Sequence, residues 1–213
     1  AEVSIAMAGN AAWASGSVYD LYVYNDGGTI RLVTGAAWTN TTTRSESLTR
    51  VNGILTNTAS MTGRYGTAST VTVAANRGTY VGTFYASANG TTTWETGGNA
   101  AGGNAINLFL WNAYNRRPVI FHNHDTTDSW TTTNTSFNTM NASTTNRASA
   151  VCGLSEDEAA VVANYVTANV SSGLAFVGID LNGTSADDSQ LSLAGTSSTE
   201  TDKPLVQWIA LLP

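Results

Sequence analysis

The sequence predicts an all-β chain, folded as a jelly-roll-like antiparallel β-sandwich. Charged residues make up only 11% of the 213 residues, against about a quarter in an ordinary soluble domain. Threonine, asparagine, serine and glycine replace them, as in TTTNTSFNTMNASTTN, and these residues disfavour helices. Short apolar segments alternate with turn signals, which is typical of sandwiches and barrels. The length suits one domain over 1–213, and the apolar segment just before Pro213 suggests a portion of a longer chain.

The first predicted element is a β-hairpin in SVYDLYVYNDGGTIRLVTG. Side chains alternate from Val18 to Tyr24, a turn follows at 25–28, and a second apolar segment covers 30–33, as two paired strands require. The same pattern continues in TVTVAANRGTYVGTFYASANGTTTW, where turns at 76–78 and 89–90 predict a meander. Further strands are predicted at 3–7, 62–67, 107–115, 129–133, 148–154, 174–181, 190–193 and 205–211.

Two segments do not follow this alternation. The glycine-rich stretch TGGNAAGGNA, residues 96–105, is predicted to form a long exposed loop. Ser155 with Glu158 three residues later matches a capping box that opens a helix, whereas the valines of 155–170 favour a strand. We expect a strand preceded by an acidic turn, because the flanking segments are β and neighbouring strands usually pair.

The charge distribution argues against nucleic acid as a partner. The net charge is −6 and Lys203 is the single lysine, so no basic stripe is available to neutralise phosphates. Short hydroxyl and amide side chains lose little rotamer entropy on contact, which favours a surface used for assembly or for binding polar ligands. The sequence contains no apolar run of about eighteen residues and no leader pattern, so neither a membrane partner nor a signal peptide is predicted.

Both histidines of the chain lie in VIFHNHDTTDSW. On a strand, residues i and i+2 project from one face, so His122 and His124 are candidate ligands of one metal ion, alone or around the axis of a trimer. The simpler interpretation is a strand that ends in an Asx-type turn at 125–128. We expect the turn, keep the metal site as the alternative, and expect no cofactor.

No motif identifies a catalytic centre. A serine nucleophile is not indicated, because the Gly-x-Ser-x-Gly elbow does not occur. An acid pair for glycoside cleavage would have to come from Glu95, Asp125, Asp128 or the cluster 156–158, and adjacent acids more often form a solvated turn. The segment DLNGTSADD, 180–188, groups oxygen ligands without the spacing of a calcium loop. We therefore expect a protein without enzymatic activity.

Loops with nearby tryptophans are the predicted ligand contacts. Binding residues concentrate on loops that a rigid scaffold positions, and an exposed indole offers an apolar face with a polar edge. The predicted tips are 96–104, 122–130 and 182–188. The candidate ligand-binding residues are Trp94, Asn99, Asn104, Asp128, Trp130 and Asn182.

Four segments occur in order between about residues 17 and 140: VYDLYVYNDGGTIRLVTGAAWTNTTTRSESLTRVNGIL, YVGTFYASANGTTTW, LFLWNAYNRR and DSWTTTNTSFN. Together they resemble a family of appendage or fibre-type structural proteins of tailed bacteriophages. These are scaffold motifs rather than catalytic ones. The resemblance implies a location in the virion and no defined chemistry.

From these features we expect a virion structural protein, either a fibre or spike subunit or a capsid-decoration subunit, that mediates attachment to the host surface. Its expected partners are other copies of itself, as a homotrimer, other virion proteins and host surface glycans. One alternative is a carbohydrate-active enzyme, a depolymerase, which needs two acids in a cleft about 5–10 Å apart. A second is an extracellular carbohydrate-binding module or self-assembling adhesin, which predicts a secretion signal.

Overall fold

The chain is all-β, as predicted. The computed structural model describes residues 2–116, 118–127, 139 and 142–157, together with the backbone of six later strands. No α-helix occurs in this part of the chain. The protein divides into two compact units, one made of residues 1–126 and 147–153 and the other of 127–146 and 154–213. The expectation of a single domain stays a prediction.

The first unit contains twelve of the described strands. They are β1 (Val18–Asp26), β2 (Thr29–Ala37), β3 (Leu48–Val51), β4 (Ile54–Asn57), β5 (Met61–Arg64), β6 (Thr70–Val73), β7 (Thr79–Tyr85), β8 (Trp94–Ala100), β9 (Ile106–Leu108), β10 (Leu110–Asn112), β11 (His122–Asp125) and β12 (Ala148–Ala150). Seven form one antiparallel sheet in the order β3-β4-β7-β1-β2-β5-β6, with β10 also paired to β7. A second sheet has the order β11-β8-β9-β12. This arrangement is compatible with a β-sandwich.

The β1–β2 hairpin is confirmed in its predicted place. Seven residue pairs join the two strands, from Tyr19 opposite Ala37 to Asp26 opposite Thr29. Gly27 and Gly28 both have positive φ angles, which the tight turn requires and which glycine adopts without strain.

The meander predicted after this hairpin is only half right. Strands β6 and β7 do flank the turn at 76–78, and Asn76 has a positive φ angle there. The two strands do not pair with each other, however, because β7 lies between β4 and β1 whereas β6 pairs with β5. A turn signal shows where the chain reverses, and it does not identify the strand that becomes the neighbour.

The N-terminal segment covers one face of the central strand β1. The indole of Trp13 is fully buried, and its N–H donates a 2.9 Å hydrogen bond to Thr34 Oγ1. Beside it, the rings of Tyr19 and Phe84 stack with centroids 5.4 Å apart. Large aromatic side chains of this kind dominate the energy of a core. The segment before β1 is therefore part of the fold.

The predicted strand at 3–7 is wrong, although its pattern is real. Exposed and half-buried side chains alternate from Glu2 to Ala8, and Ile5 and Met7 pack against the buried cluster around Trp13. The segment nevertheless pairs with no described strand. Alternating hydrophobicity indicates which side chains face the core. A β-strand also requires backbone hydrogen bonds to a neighbouring strand, which the sequence pattern does not show.

Two other sequence predictions need correction, and one hairpin was missed. The glycine-rich stretch is not a loop throughout, because β8 occupies its first half. The long strand predicted at 107–115 is replaced by the short strands β9 and β10. The hairpin of β3 and β4 was not predicted, although Asn52 and Gly53 form its turn with positive φ angles, the strongest short hairpin signal. The predicted strand at 129–133 lies outside the described residues.

The second unit contains six described strands, β13 (Val161–Asn164), β14 (Thr167–Ala168), β15 (Ala175–Gly178), β16 (Leu191–Ala194), β17 (Thr201–Asp202) and β18 (Leu205–Trp208). They form three antiparallel pairs, β13 with β18, β14 with β17 and β15 with β16. In every pair the two residue numbers add up to the same total, so the three pairs share one register. The expected strand within 155–170 is confirmed here, as are those at 174–181, 190–193 and 205–211.

Candidate functional site

The four-stranded sheet brings together several of the site residues predicted from the sequence. Strand β8 lies in the interior of this sheet, antiparallel to β9 on one side and parallel to β11 on the other. In the parallel pair, His122 lies opposite Gly97 and His124 lies opposite Asn99. Trp94 opens β8. The sheet therefore contains Trp94, Asn99 and both histidines on two paired strands.

Glycine at position 97 makes this pairing possible. Its φ angle is +78°, and a Cβ atom there would overlap the carbonyl oxygen of His122 and the side chain of Ile106. A glycine inside a strand often marks a close approach of another backbone, which is its role here. The sequence pattern predicted a loop from these glycines, whereas the structure uses one of them to admit β11.

Side-chain amides fix the turn that follows β8. Asn104 donates, through its side-chain Nδ2, to the carbonyl of Gly97 at 2.8 Å. Its backbone N–H donates to Asn123 Oδ1 at 2.6 Å. Asp125 Oδ1 accepts the N–H of Gly102 at 2.8 Å. Asn104 and Asp125 thus have structural roles that hold β8 and β11 together.

The two histidines occupy the exposed face of β11. Their side chains are exposed, and the alternating residues Asn123 and Asp125 are half-buried. This confirms the prediction that His122 and His124 share one face. The ring atom His122 Nε2 lies 3.3 Å from Asn99 Oδ1, and Asn99 is exposed as well. Two imidazoles and one amide therefore lie on the same surface.

Trp94 presents an exposed aromatic ring at the start of β8. It is 55% exposed and makes an edge-to-face contact with Phe121, with ring centroids 6.2 Å apart. Val119 and Ile120, immediately before Phe121, are 62% and 95% exposed. Exposed apolar side chains in such a group are typical of contact surfaces. Phe121 and its neighbours were not predicted from the sequence.

The remaining predicted site residues have two different outcomes. Asp128, Trp130 and Asn182 lie outside the described residues, as does the segment 180–188. The acidic candidates Glu95 and Asp125 are described, and each has a hydrogen-bond partner, the Asn107 amide for Glu95. Asp125 pairs with Ala100, five positions along β8 from Glu95, so the two acids lie at different positions along the sheet.

A buried ion pair joins Asp20 on β1 to Arg44, in the segment after β2, and it was not predicted. Asp20 is 2% exposed. Arg44 Nε donates to its Oδ2 at 2.8 Å, and the Thr83 hydroxyl donates to its Oδ1 at 2.6 Å. Burial raises the pKa of Asp20, while the charge of Arg44 and these hydrogen bonds oppose the increase. An acid inside an otherwise apolar strand is a signal that could have revealed the pair, because buried charges need partners.

The ion pair also holds other segments in place. The Arg44 guanidinium stacks on the Trp38 ring, 4.6 Å from its centroid, and donates to the carbonyl of Gly153. The Tyr80 hydroxyl donates to the same carbonyl at 3.2 Å, and burial raises the pKa of Tyr80. A Cβ atom at Gly153 would overlap both Trp111 and Tyr80. The network therefore fixes the end of segment 147–153, and its buried position suits a structural role.

Within the described residues, no group of three or more histidine, cysteine, aspartate or glutamate side chains is arranged to hold a metal ion. The same part of the chain has no helix long and apolar enough to cross a membrane. The chain matches no protein-family model, no curated protein and no solved structure.

Proposed function

We propose that this chain is a non-enzymatic structural protein of a virion surface, a fibre, spike or capsid-decoration subunit that attaches the particle to host surface glycans. The proposal combines the sequence resemblance to phage appendage proteins with the surface of the four-stranded sheet. One observation carries it: a 55% exposed tryptophan lies on the same sheet as exposed Asn99, His122 and His124.

These residue types suit the recognition of sugars. An indole ring provides a flat apolar face that stacks on the C–H groups of a pyranose. Amide and imidazole groups donate and accept hydrogen bonds in defined directions, as the hydroxyl groups of a sugar require. Because the residues lie on paired strands, little conformational entropy is lost when a ligand binds. The exposed side chains of these two strands, Trp94, Asn99, His122 and His124, are together named here the β8–β11 face.

The acids predicted as candidates on the four-stranded sheet support binding rather than bond cleavage. Glu95 and Asp125 are hydrogen-bonded within the fold, and Asp20 is buried against Arg44. A depolymerase would need one raised-pKa acid and a second carboxylate facing a sugar-sized cleft. The low lysine content supports the same proposal, because short side chains lose little entropy at a contact. The depolymerase and the secreted adhesin remain the alternatives.

Glycan-array binding tests the proposal directly. Fluorescently labelled wild-type chain is compared with Trp94→Ala, with Tyr114→Ala as the matched control, since Tyr114 is a 63% exposed aromatic residue outside this sheet. We expect Trp94→Ala to lose binding to the recognised bacterial polysaccharides and Tyr114→Ala to keep it. Equal binding by all three proteins would remove the β8–β11 face from the proposal. Oligosaccharide release by the wild-type chain would instead establish the depolymerase.

Electron microscopy tests the virion location. Antibodies raised against the chain should decorate fibres, spikes or the head surface of the phage particles that carry it. Sedimentation of the purified chain should give the mass of a trimer. Labelling of cell surfaces without any particle would favour the cellular adhesin.

A further inference from the structure

The exposed face of β11 carries both histidines of the chain. The sequence contains two histidines in total, and both lie on this one strand with their side chains exposed. They are two residues apart, so their Cα atoms are separated by about 6.6 Å and their side chains project in the same direction. Two imidazoles can thus approach a single point above the strand.

The side chain of Asn99 places a third donor atom near this point. It lies directly opposite His124 in the parallel register, and its Oδ1 is 3.3 Å from His122 Nε2. In a parallel pair, residues opposite one another project from the same face. The amide oxygen of Asn99 therefore lies close to the imidazole of His122, and the residue itself lies opposite His124. The resulting donor set is mixed, two ring nitrogens and one amide oxygen.

We propose that His122, His124 and Asn99 form a binding site for a divalent transition-metal ion, with Zn²⁺, Ni²⁺ and Cu²⁺ as the matching class. Imidazole nitrogen is a preferred ligand of these ions, which it binds at about 2.0–2.1 Å in zinc sites. Ca²⁺ and Mg²⁺ require sets of oxygen ligands, which three side chains with one oxygen donor do not supply. The remaining coordination positions of the ion face outward, toward water or an external ligand.

The site does not depend on the proposed function. It would bind the ion in the isolated chain whether or not the β8–β11 face recognises glycans, because all three side chains come from one copy. An outward-facing position would also allow a donor from another copy or from a polar ligand to join the ion. Metal binding and glycan binding can therefore fail separately.

Calorimetric titration of the tag-free chain with ZnCl₂, NiCl₂ and CuCl₂ tests the site. We expect one ion per chain, and a loss of affinity of at least about tenfold in His122→Gln and in His124→Gln, comparable to or larger than the cost of losing an outer-shell partner. Asn99→Ala should weaken binding less than either histidine variant. Glu95→Gln is the matched control, since it removes a nearby exposed carboxylate without removing a proposed ligand, and its affinity should equal that of the wild type.

Two spectroscopic measurements distinguish the loss of a metal ligand from the loss of the fold. All variants should retain the wild-type circular dichroism spectrum, because the exchanged side chains are exposed. Cu²⁺ bound to the wild type should show electron spin resonance couplings from two imidazole nitrogens, and from one in each histidine variant. A stoichiometry of one ion per two or three chains, with both couplings retained, would support the site with ligands added by other copies. Wild-type affinity in either histidine variant, or no binding by the wild type at millimolar metal, would overturn it.

Discussion

Removing Arg44 should destabilise the protein strongly, because it leaves the carboxylate of Asp20 buried without its partner. Asp20 is 2% exposed, and the Arg44 side chain is 21% exposed. In Arg44→Met the apolar stem of the side chain is retained, while the charge and its hydrogen bonds to Asp20 and Gly153 are lost. The variant therefore isolates the electrostatic part of the contact.

The expected magnitude follows from the burial of the pair. Breaking a buried ion pair by removing one partner costs about 3–5 kcal/mol. Because Arg44 keeps some exposure to solvent, we expect the lower end of this range, about 3 kcal/mol. In a chain of this size that corresponds to a decrease in Tm of about 6–12 °C. A double variant with Asp20→Asn should recover part of the loss, since no charge then remains buried.

The loss should depend on pH in a defined direction. Burial raises the pKa of Asp20 above its ordinary value of 3.8, so protonation of this carboxyl favours the folded chain. Its contribution to stability is fully present below the pKa of the unfolded chain and is lost as the pH rises through the higher pKa of the folded chain. Without Arg44 that pKa rises further. The difference in stability between wild type and Arg44→Met should therefore grow from acidic to neutral pH.

Urea unfolding followed by tryptophan fluorescence measures the effect at pH 4 and pH 7. Arg31→Met is the matched control, because Arg31 also makes an Nε contact to an aspartate, Asp26, at 2.7 Å and stacks on a tyrosine ring. That pair lies at the surface, so its loss should change the stability little. If Arg44→Met costs no more than Arg31→Met, or costs the same at both pH values, the account of the buried pair is wrong.

Two further predictions concern glycine and asparagine positions. Gly97→Ala should separate β11 from β8 and speed hydrogen exchange in β11, whereas Gly66→Ala, at a glycine with no positive φ angle and only ordinary contacts, should leave that exchange slow. Asn57→Ala should lower the free energy of unfolding by roughly 3 kcal/mol, because the fully buried side chain bonds three backbone groups. Chemical denaturation checks the second prediction against Asn89→Ala, whose side chain accepts one exposed backbone bond; a similar loss in both variants would contradict it.

Local patterns predicted the parts of the fold that depend on neighbouring residues. Alternation from Val18 to Tyr24 and the glycines of the following turn sufficed for the β1–β2 hairpin, because pairing and turn are both encoded within twenty residues. The same logic failed for residues 3–7, which alternate without a partner. It also failed for 96–105, where the conformation is decided by β11, more than twenty residues away in sequence.

The histidines of the candidate site could be predicted from the sequence, whereas the way in which the site residues come together could not. The spacing of His122 and His124 fixed their common face as soon as the segment was recognised as a strand. The position of Asn99 opposite His124 depends on a parallel pairing, and no local pattern specifies which distant strand pairs. The Asp20–Arg44 contact joins residues 24 positions apart, so the sequence showed an unusual acid without identifying its partner.

The common register of the three strand pairs in the second unit restricts how these strands can shift. A one-residue slip within a pair would turn every side chain of the slipped strand to the opposite face. Because the three pairs share one register, a slip confined to one pair would put that pair out of register with the other two.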